Sequence, residues 1–516
     1  MQRTNRIIIN TIILYVKIIV CMIISLWTVP LLLKALGEHD FGVFNLVAGI
    51  VAMLAFLNGA MTVSTQRFLS VTIGEKNKKK LQEVFNLSIV LHLVLGIFIV
   101  FLIEVSIPFL IEHIINIPPR YTEIVRLLFH YLSASICLTI LAVPFDAVLN
   151  SYENMAAFSV FGVIESLLRL AVALTIQSID ITGRLNFYGY STMIIALVLL
   201  LLKYIYVSRR YMHLSFSYKH CKNKKLFLDL CGFAGWNTLN SMAIIGRNQG
   251  IALTLNHFFG ATINAAYGIG NQINGVLGYF SQTIQKSITP QLMESHGAHD
   301  NNKLEAMTFG LTKYSTLSMG IVATPLFIEM PFILDSWLPT VPSHTISFSR
   351  YIIILSLLFQ LSSGLMSAVQ SSGKIRCYTI CICITLISVI PISYATLKMG
   401  NKTETALQIA CIFEIIAFSI RLFFAKKLNA IHIKEYITKL TLPLIATHII
   451  TAIILYLITT ILQESYPRLV LNCLVGVTTF CLVAYYITLT DKEKEYINTT
   501  SIQLRNKTIK WIKKAS

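Results

Sequence analysis

Charge is scarce in this chain. Only 13% of its 516 residues are Asp, Glu, Lys or Arg, roughly half the share usual for a soluble domain. Acids are the scarcer sign, 24 against 42 Lys and Arg, which leaves a formal net charge of +18. Signatures of familiar chemistry are missing too. Neither HExxH nor GxSxG occurs, and "SSGK" at 371–374 lacks the spacing of a phosphate-cradling loop. A metalloprotease, an α/β-hydrolase or a directly ATP-driven pump is therefore not indicated. The ten cysteines form no disulfide pattern, and most lie inside apolar runs. The nearest cluster, Cys377, Cys381 and Cys383, has no histidine or second pair to complete a metal set. No metal and no cofactor is expected.

What is abundant is apolar surface. Hydrophobic residues make up 55% of the chain, and the mean hydropathy is +0.69. The runs are continuous rather than alternating, which predicts an all-α integral membrane protein and not a β-barrel. About fourteen transmembrane helices are expected, near 7–33, 41–62, 84–105, 122–147, 159–176, 187–207, 229–255, 263–285, 309–332, 350–370, 378–397, 405–424, 440–462 and 469–490. Arg3 and Arg6 precede an apolar run too long for a signal-peptide core, so the first helix is expected to be retained. With the N-terminus inside, most Lys and Arg fall in cytoplasmic segments and few in the outer loops. Both termini are thus expected in the cytoplasm. The positive charge is explained by this bias, with anionic lipid at the cytoplasmic face as its partner and no nucleic acid.

The pattern divides the chain into an N-terminal six-helix bundle (1–207), a basic cytoplasmic linker (208–228), and a C-terminal six-helix bundle (229–424). A surface segment with two extra helices (425–490) and a basic tail (491–516) follow. The segment 425–439, "AKKLNAIHIKEYITK", is expected to lie along the membrane as an amphipathic helix. Shifting the chain by 223 residues lays Gly37 on Gly260, Phe44 on Tyr267, Phe56 on Tyr279 and Ser64 on Ser287. Six spans separate the two copies, which makes this a parallel pseudo-repeat.

Polar residues inside spans are functional candidates, because a charge at mid-bilayer costs ~2.5–3.5 kcal/mol on insertion scales. The seventh span carries Asn237, Asn240, Ser241, Arg247 and Asn248, with Gln249 beside them. The eighth carries Asn264, Tyr267, Asn271, Asn274 and Gln282. Each set forms one helical stripe, suited to a helix contact or a water-filled cavity. No acid in the core of its own helix can neutralise Arg247, and Lys17 lies midway along the first span. Glu165 and Arg169 are spaced to pair with each other, and Glu414 is a lone acid, either an ion carrier or the partner of a distant cation. Glu104, Asp146, Glu329 and Asp335 lie near span ends and read as interfacial. The excess of buried cations favours an anionic ligand, and phosphate or pyrophosphate suits a guanidinium best.

The stretch "LWTVPLLLKALGEHDFGVFNLVAGIVAMLAFLNGAMTVSTQRFLS" (26–70), with "GRNQGIALTLNHFFGATINAAYGIGNQINGV" (246–276) and "ITPQL" (288–292), resembles Wzx-like polysaccharide and O-antigen flippases. These belong to the multidrug/oligosaccharidyl-lipid/polysaccharide (MOP) exporter superfamily. The resemblance implies two six-helix bundles in a V, as in MATE transporters, plus two C-terminal helices. It implies a non-enzymatic flippase of the bacterial inner membrane that turns undecaprenyl-pyrophosphate-linked oligosaccharide outward by alternating access, for surface polysaccharide or lipopolysaccharide. Other polysaccharide-assembly membrane proteins would be its partners. Substrate-binding positions would be Arg247, Lys17, Asn248, Gln249, Asn240, Asn271, Asn274 and Arg169, with Glu165 or Glu414 coupling an ion. Where relatives often carry an arginine, this chain has Pro30. Three alternatives stay open: a MATE-type drug/cation antiporter, a peptidoglycan-precursor flippase, and a membrane glycan polymerase or ligase. The short outer loops weigh against the last.

Overall fold

The computed structural model describes residues 2–499 except 53–54, 115–120, 181–182, 215, 218–222, 339, 429–430 and 496–497. Among the described residues the regular elements are all helices, and no strand occurs. The first six are α1 (Gln2–Ala52, two helical segments that meet at a break at Gly37), α2 (Ala55–Gly74), α3 (Lys78–Phe109), α4 (Thr122–Ser151), α5 (Met155–Thr175) and α6 (Arg184–Arg210). They are followed by α7 (Lys224–Phe259), α8 (Ala261–Gly297), α9 (Asn301–Ile328) and α10 (Met330–Trp337). Next come α11 (Thr345–Gln360), α12 (Ser363–Ser372), α13 (Arg376–Lys398) and α14 (Thr405–Lys427). A single turn, α15 (Ile433–Glu435), leads into α16 (Leu442–Ile461) and α17 (Tyr466–Val483).

Helix stands at each of the fourteen expected positions. Among the described residues nine stretches are long and apolar enough to cross a membrane. The bent pairs α9–α10 and α11–α12, with angles of 79° and 43°, bring the number to eleven. The protein is a multi-pass integral membrane protein. Helices α2, α7 and α8 fall outside this apolar set, because Asn, Gln, Ser and Arg interrupt their hydrophobic runs. Local chemistry sets several helix starts. Asn77 and Asn154 cap α3 and α5 by accepting from the amides of Lys80 and Ala157, and Ser465 caps α17 ahead of Pro467. The internal repeat appears in the backbone as well: Gly37 and Gly260 both have φ of 79°, a conformation L-residues other than glycine rarely adopt.

The chain forms two compact units. The first comprises residues 1–246, 285–307 and 367–387; the second comprises 247–284, 308–366 and 388–516. These borders differ from those expected at 207–229 and 424, because the long continuous helices α7, α8 and α13 each give residues to both units.

In the first unit α4 packs against α3 and α6 through fully buried Val84, Phe129, Leu128 and Leu149. Helices α2 and α8 approach backbone to backbone. A Cβ at Gly74 would lie 2.0 Å from the Glu294 carbonyl oxygen, and one at Gly297 would lie 2.0 Å from that of Val71. Small residues at such crossings are a general device of membrane helix packing.

In the second unit polar ties run along α9 to the C-terminal helices. Lys313 Nζ meets Glu493 at 2.7 Å. Thr312 Oγ1 and the Tyr436 hydroxyl are 2.7 Å apart. Thr324 Oγ1 lies 3.0 Å from His448 Nδ1, and Glu329 accepts from Arg468 at 2.9 Å and from Asn472. Glu329 is therefore not interfacial. It is 1% exposed and stands at the break between α9 and α10, where Arg350 Nε donates to the freed Phe327 carbonyl at 3.0 Å. The second break is satisfied in the same way: the Tyr436 hydroxyl donates to the Leu361 carbonyl at 2.8 Å, and the Gly364 amide donates to Thr312 Oγ1 at 2.9 Å. Freed backbone groups in a membrane need such partners. This also corrects the expected surface helix at 425–439. Tyr436 is completely buried, and residues 436–441 form a π-helical turn leading into α16.

Because backbone oxygens cannot swing aside as side-chain ends can, Gly74→Ala or Gly297→Ala should force α2 and α8 apart. Thermal unfolding of the detergent-solubilised protein should show a loss of about 1–3 kcal/mol for either variant, whereas Gly235→Ala, with open space around its Cα, should be near neutral.

Candidate functional site

Four helices bring charged side chains together in the first unit, around an aromatic ring from a fifth. Lys17 of α1 lies with its Nζ 4.5 Å from the centroid of the Phe158 ring on α5, and Lys286 of α8 faces the same ring at 5.3 Å. The two ammonium groups are thus no more than 9.8 Å apart. Gly162, one helical turn on from Phe158, makes room for Lys17, since a Cβ there would lie 2.2 Å from its Cε. Asp146 of α4 pairs with Lys203 of α6 at 2.7 Å. Lys17, Lys203 and Lys286 all act electrostatically on that one carboxylate. Among the described residues neither Lys17 nor Lys286 has a carboxylate within 4.0 Å. Asp146 is therefore no interfacial acid; it is the counter-ion of a cluster with a surplus of positive charge. A ring quadrupole offsets an ammonium charge by only ~1–2 kcal/mol, so the surplus is real.

Of the two glutamates placed as coupling candidates, Glu165 forms the self-contained pair expected from its spacing. Arg169 donates to it at 2.9 and 3.2 Å, and both side chains are nearly half exposed.

Arg247 has a different setting from the one expected. In the second unit its Nη1 lies 3.0 Å from Glu414 on α14. Arg421, two turns further along the same face of α14, holds the other oxygen of Glu414 at 2.5 Å and donates to Ser362 Oγ at 2.8 Å. The side chains of Arg247, Glu414 and Arg421 are 8%, 0% and 2% exposed. Arg247 is thus not an uncompensated cation: Glu414 neutralises it from a helix distant in sequence. The bond to Glu414 also ties α7 to α14, as Arg421 ties α14 to the break between α11 and α12.

The amide side chains around this triad are mostly engaged in helix contacts. Asn248 accepts from Arg247 Nε at 3.2 Å, and its carbonyl accepts from the Tyr267 hydroxyl. Asn271 donates to the Tyr267 carbonyl at 3.0 Å, and Asn274 accepts from Ser356 at 2.5 Å. Gln249 is exposed. Asn240 lies in the first unit, and its buried Oδ1 has no hydrogen-bond partner. The eight candidate positions divide between the two units: Lys17, Arg169 and Asn240 belong to the first and the remainder to the second. Sequence reading missed Lys203, Lys286 and Arg421 because they lie near the ends of spans, where charge is ordinarily solvated.

The MatE family profile matches residues 9–175. No curated protein matches the chain. Solved structures do. An outward-facing multidrug-resistance MATE family transporter of the MOP superfamily is similar with a TM-score of 0.70 at 15% identity, over 84% of this chain and 97% of that one. A point mutant of MATE gives 0.71 at 15%, over 84% and 97%. A MOP superfamily transporter from Pyrococcus furiosus, described as having a binding pocket of reverse polarity that suggests a different function, gives 0.69 at 15%, over 83% and 96%. The chain has the MATE transporter fold.

Outside the spans, Glu404 precedes α14 and closes a latch on the N-terminal turn of α11. His344 Nδ1 lies 2.7 Å from it, and Thr403 and Ser347 donate at 2.9 and 3.1 Å. Burial resists ionisation of this carboxyl, but the hydrogen bonds from His344, Thr403 and Ser347 outweigh it and bring the pKa from 4.5 down to about 2. A depressed carboxyl stabilises the fold above its unfolded pKa and loses that contribution as pH falls through the folded value.

Two outcomes follow. Glu404→Gln should lower thermal stability at pH 7, and its difference from the parent should vanish between about pH 4.5 and pH 2. Glu414→Gln orphans both Arg247 and Arg421 and should cost about 3–5 kcal/mol, read as loss of the monodisperse protein on size-exclusion chromatography. Arg247→Met leaves Glu414 with Arg421 and should cost clearly less.

Proposed function

We propose that this protein is a transporter that carries a phosphate-bearing lipid, a pyrophosphate-linked oligosaccharide, from the inner to the outer leaflet of the bacterial cytoplasmic membrane by alternating access. The observation that carries the reading is the pair Lys17 and Lys286, set over one aromatic ring without a carboxylate to neutralise either. Lys17 is partly buried and Lys286 is exposed, so an anion can reach the pair, and two ammoniums without a carboxylate beside them favour one that does. Lys17 lies about a third of the way along the apolar stretch Arg6–Gly37 from the end expected in the cytoplasm. That depth suits capture of a headgroup from the inner leaflet. The MATE fold supports a transport role over an enzymatic one, and the reversed pocket polarity named for the P. furiosus transporter is a precedent for this fold with an altered binding pocket. An inside-negative potential would drive the anion outward, by ~2.3 kcal/mol per charge for each 100 mV. Arg247, committed to Glu414, serves this reading as a strut and not as a phosphate ligand.

A cationic-drug antiporter requires an acid free to release its cargo. In the first unit Asp146, the acid on which the three lysines act, already serves Lys203, and Glu165 is taken by Arg169.

The test is translocation of a fluorescent pyrophosphate-linked oligosaccharide lipid in proteoliposomes. Lys17→Met and Lys286→Met should each reduce it at least about tenfold, the loss of one ionic contact, with the fold intact by circular dichroism. Gly162→Leu, which drives Lys17 from its place, should do the same. Undiminished flipping in Lys17→Met, or electrogenic efflux of organic cations by the parent, would overturn the assignment.

A further inference from the structure

The Asp146 carboxylate is the acid on which all three lysines of the cluster act. Its Oδ2 is bound to Lys203 at 2.7 Å. Its Oδ1 is buried and has no hydrogen-bond partner, although carboxylate oxygens seldom go unsatisfied. Three lysines from three helices, Lys17 of α1, Lys203 of α6 and Lys286 of α8, act on it. The one other carboxylate acting on Lys17, Glu165, is already paired with Arg169. The cluster of Asp146 with the three lysines therefore has a net charge of +2 while Asp146 is ionised. A purely structural salt bridge would not need a second oxygen buried without a partner. A stand-in for a phosphate oxygen would.

We infer that Asp146 is a resident competitor: it occupies part of the anion's place in the empty protein, holds the lysines together without saturating them, and sets how readily the bound phosphate leaves. This inference rests on the anionic-substrate reading above. A pyrophosphate diester bears two negative charges, and added to the cluster it brings the total to zero. With the carboxylate gone the cluster would stand at +3, and the same anion would leave one charge still unanswered. Binding would tighten and release would slow, since the competing negative group that helps expel the ligand is absent. Asp146 is in this sense a specificity and release residue. It matches the site to a dianion and keeps binding below the strength that would trap it.

The experiment uses the full-length protein in detergent, with inorganic pyrophosphate titrated calorimetrically and the fluorescent pyrophosphate lipid followed in proteoliposomes. Asp146→Asn should bind pyrophosphate more tightly, on the order of tenfold for one unit of charge removed at short range in a partly solvated site. Its translocation should have a lower KM and a lower turnover rate. A double variant, Asp146→Asn with Lys203→Met, removes the pair and restores a charge of +2, so its affinity should return to within about threefold of the parent. It also serves if the single variant fails to fold. Equal or weaker pyrophosphate binding in Asp146→Asn, with the parent binding normally, would overturn the role of Asp146 and leave the substrate reading standing. No pyrophosphate binding by the parent would overturn both.

Discussion

The constraint on which this structure turns is the shortage of carboxylates inside it. A cation among apolar helices must be paired, must reach water, or must wait for an anion. Where an internal acid is supplied, it serves as a joint: Glu414 holds two arginines from two helices, and Glu329 holds Arg468 and Asn472 at a helix break. Where the supply falls short, in the cluster around Asp146, ammonium groups are left facing an aromatic ring. The distinction between scaffold and site is thus one of charge arithmetic, and it separates residues that look alike in sequence.

Much of the architecture was legible from the chain alone. The helical, multi-pass character follows from continuous apolar runs in a chain with few charges. The pairing of Gly37 with Gly260 across a 223-residue shift reappears as two glycines with the same positive φ. The self-neutralising pair of Glu165 and Arg169 was readable because both residues lie on one turn of one helix. Periodicity tells where residues lie on a helix, and there it worked.

What failed was pairing over long distances in sequence. Arg247 was correctly singled out as out of place in oil, and Glu414 as a lone acid, but 167 residues separate them and neither helix reveals its neighbour. Lys203, Lys286 and Arg421 were invisible for another reason. Near the end of a span a hydropathy reading cannot separate a charge that snorkels to the surface from one that turns inward. Tyr436 shows the same limit: an amphipathic pattern put its segment on the membrane surface, whereas two hydrogen bonds to the α11–α12 region draw it into the core.

The polar contacts spaced along α9 have a consequence for how the last two membrane helices can be regarded. Lys313, Thr312, Thr324 and Glu329 all take their partners from the chain beyond residue 430. Without that hairpin α9 would turn an ammonium, a carboxylate and two hydroxyls toward hydrocarbon. The hairpin is accordingly no detachable appendage: α9 in its present sequence and the C-terminal pair are mutually obligate, and a change that dispensed with one would have to rewrite the other.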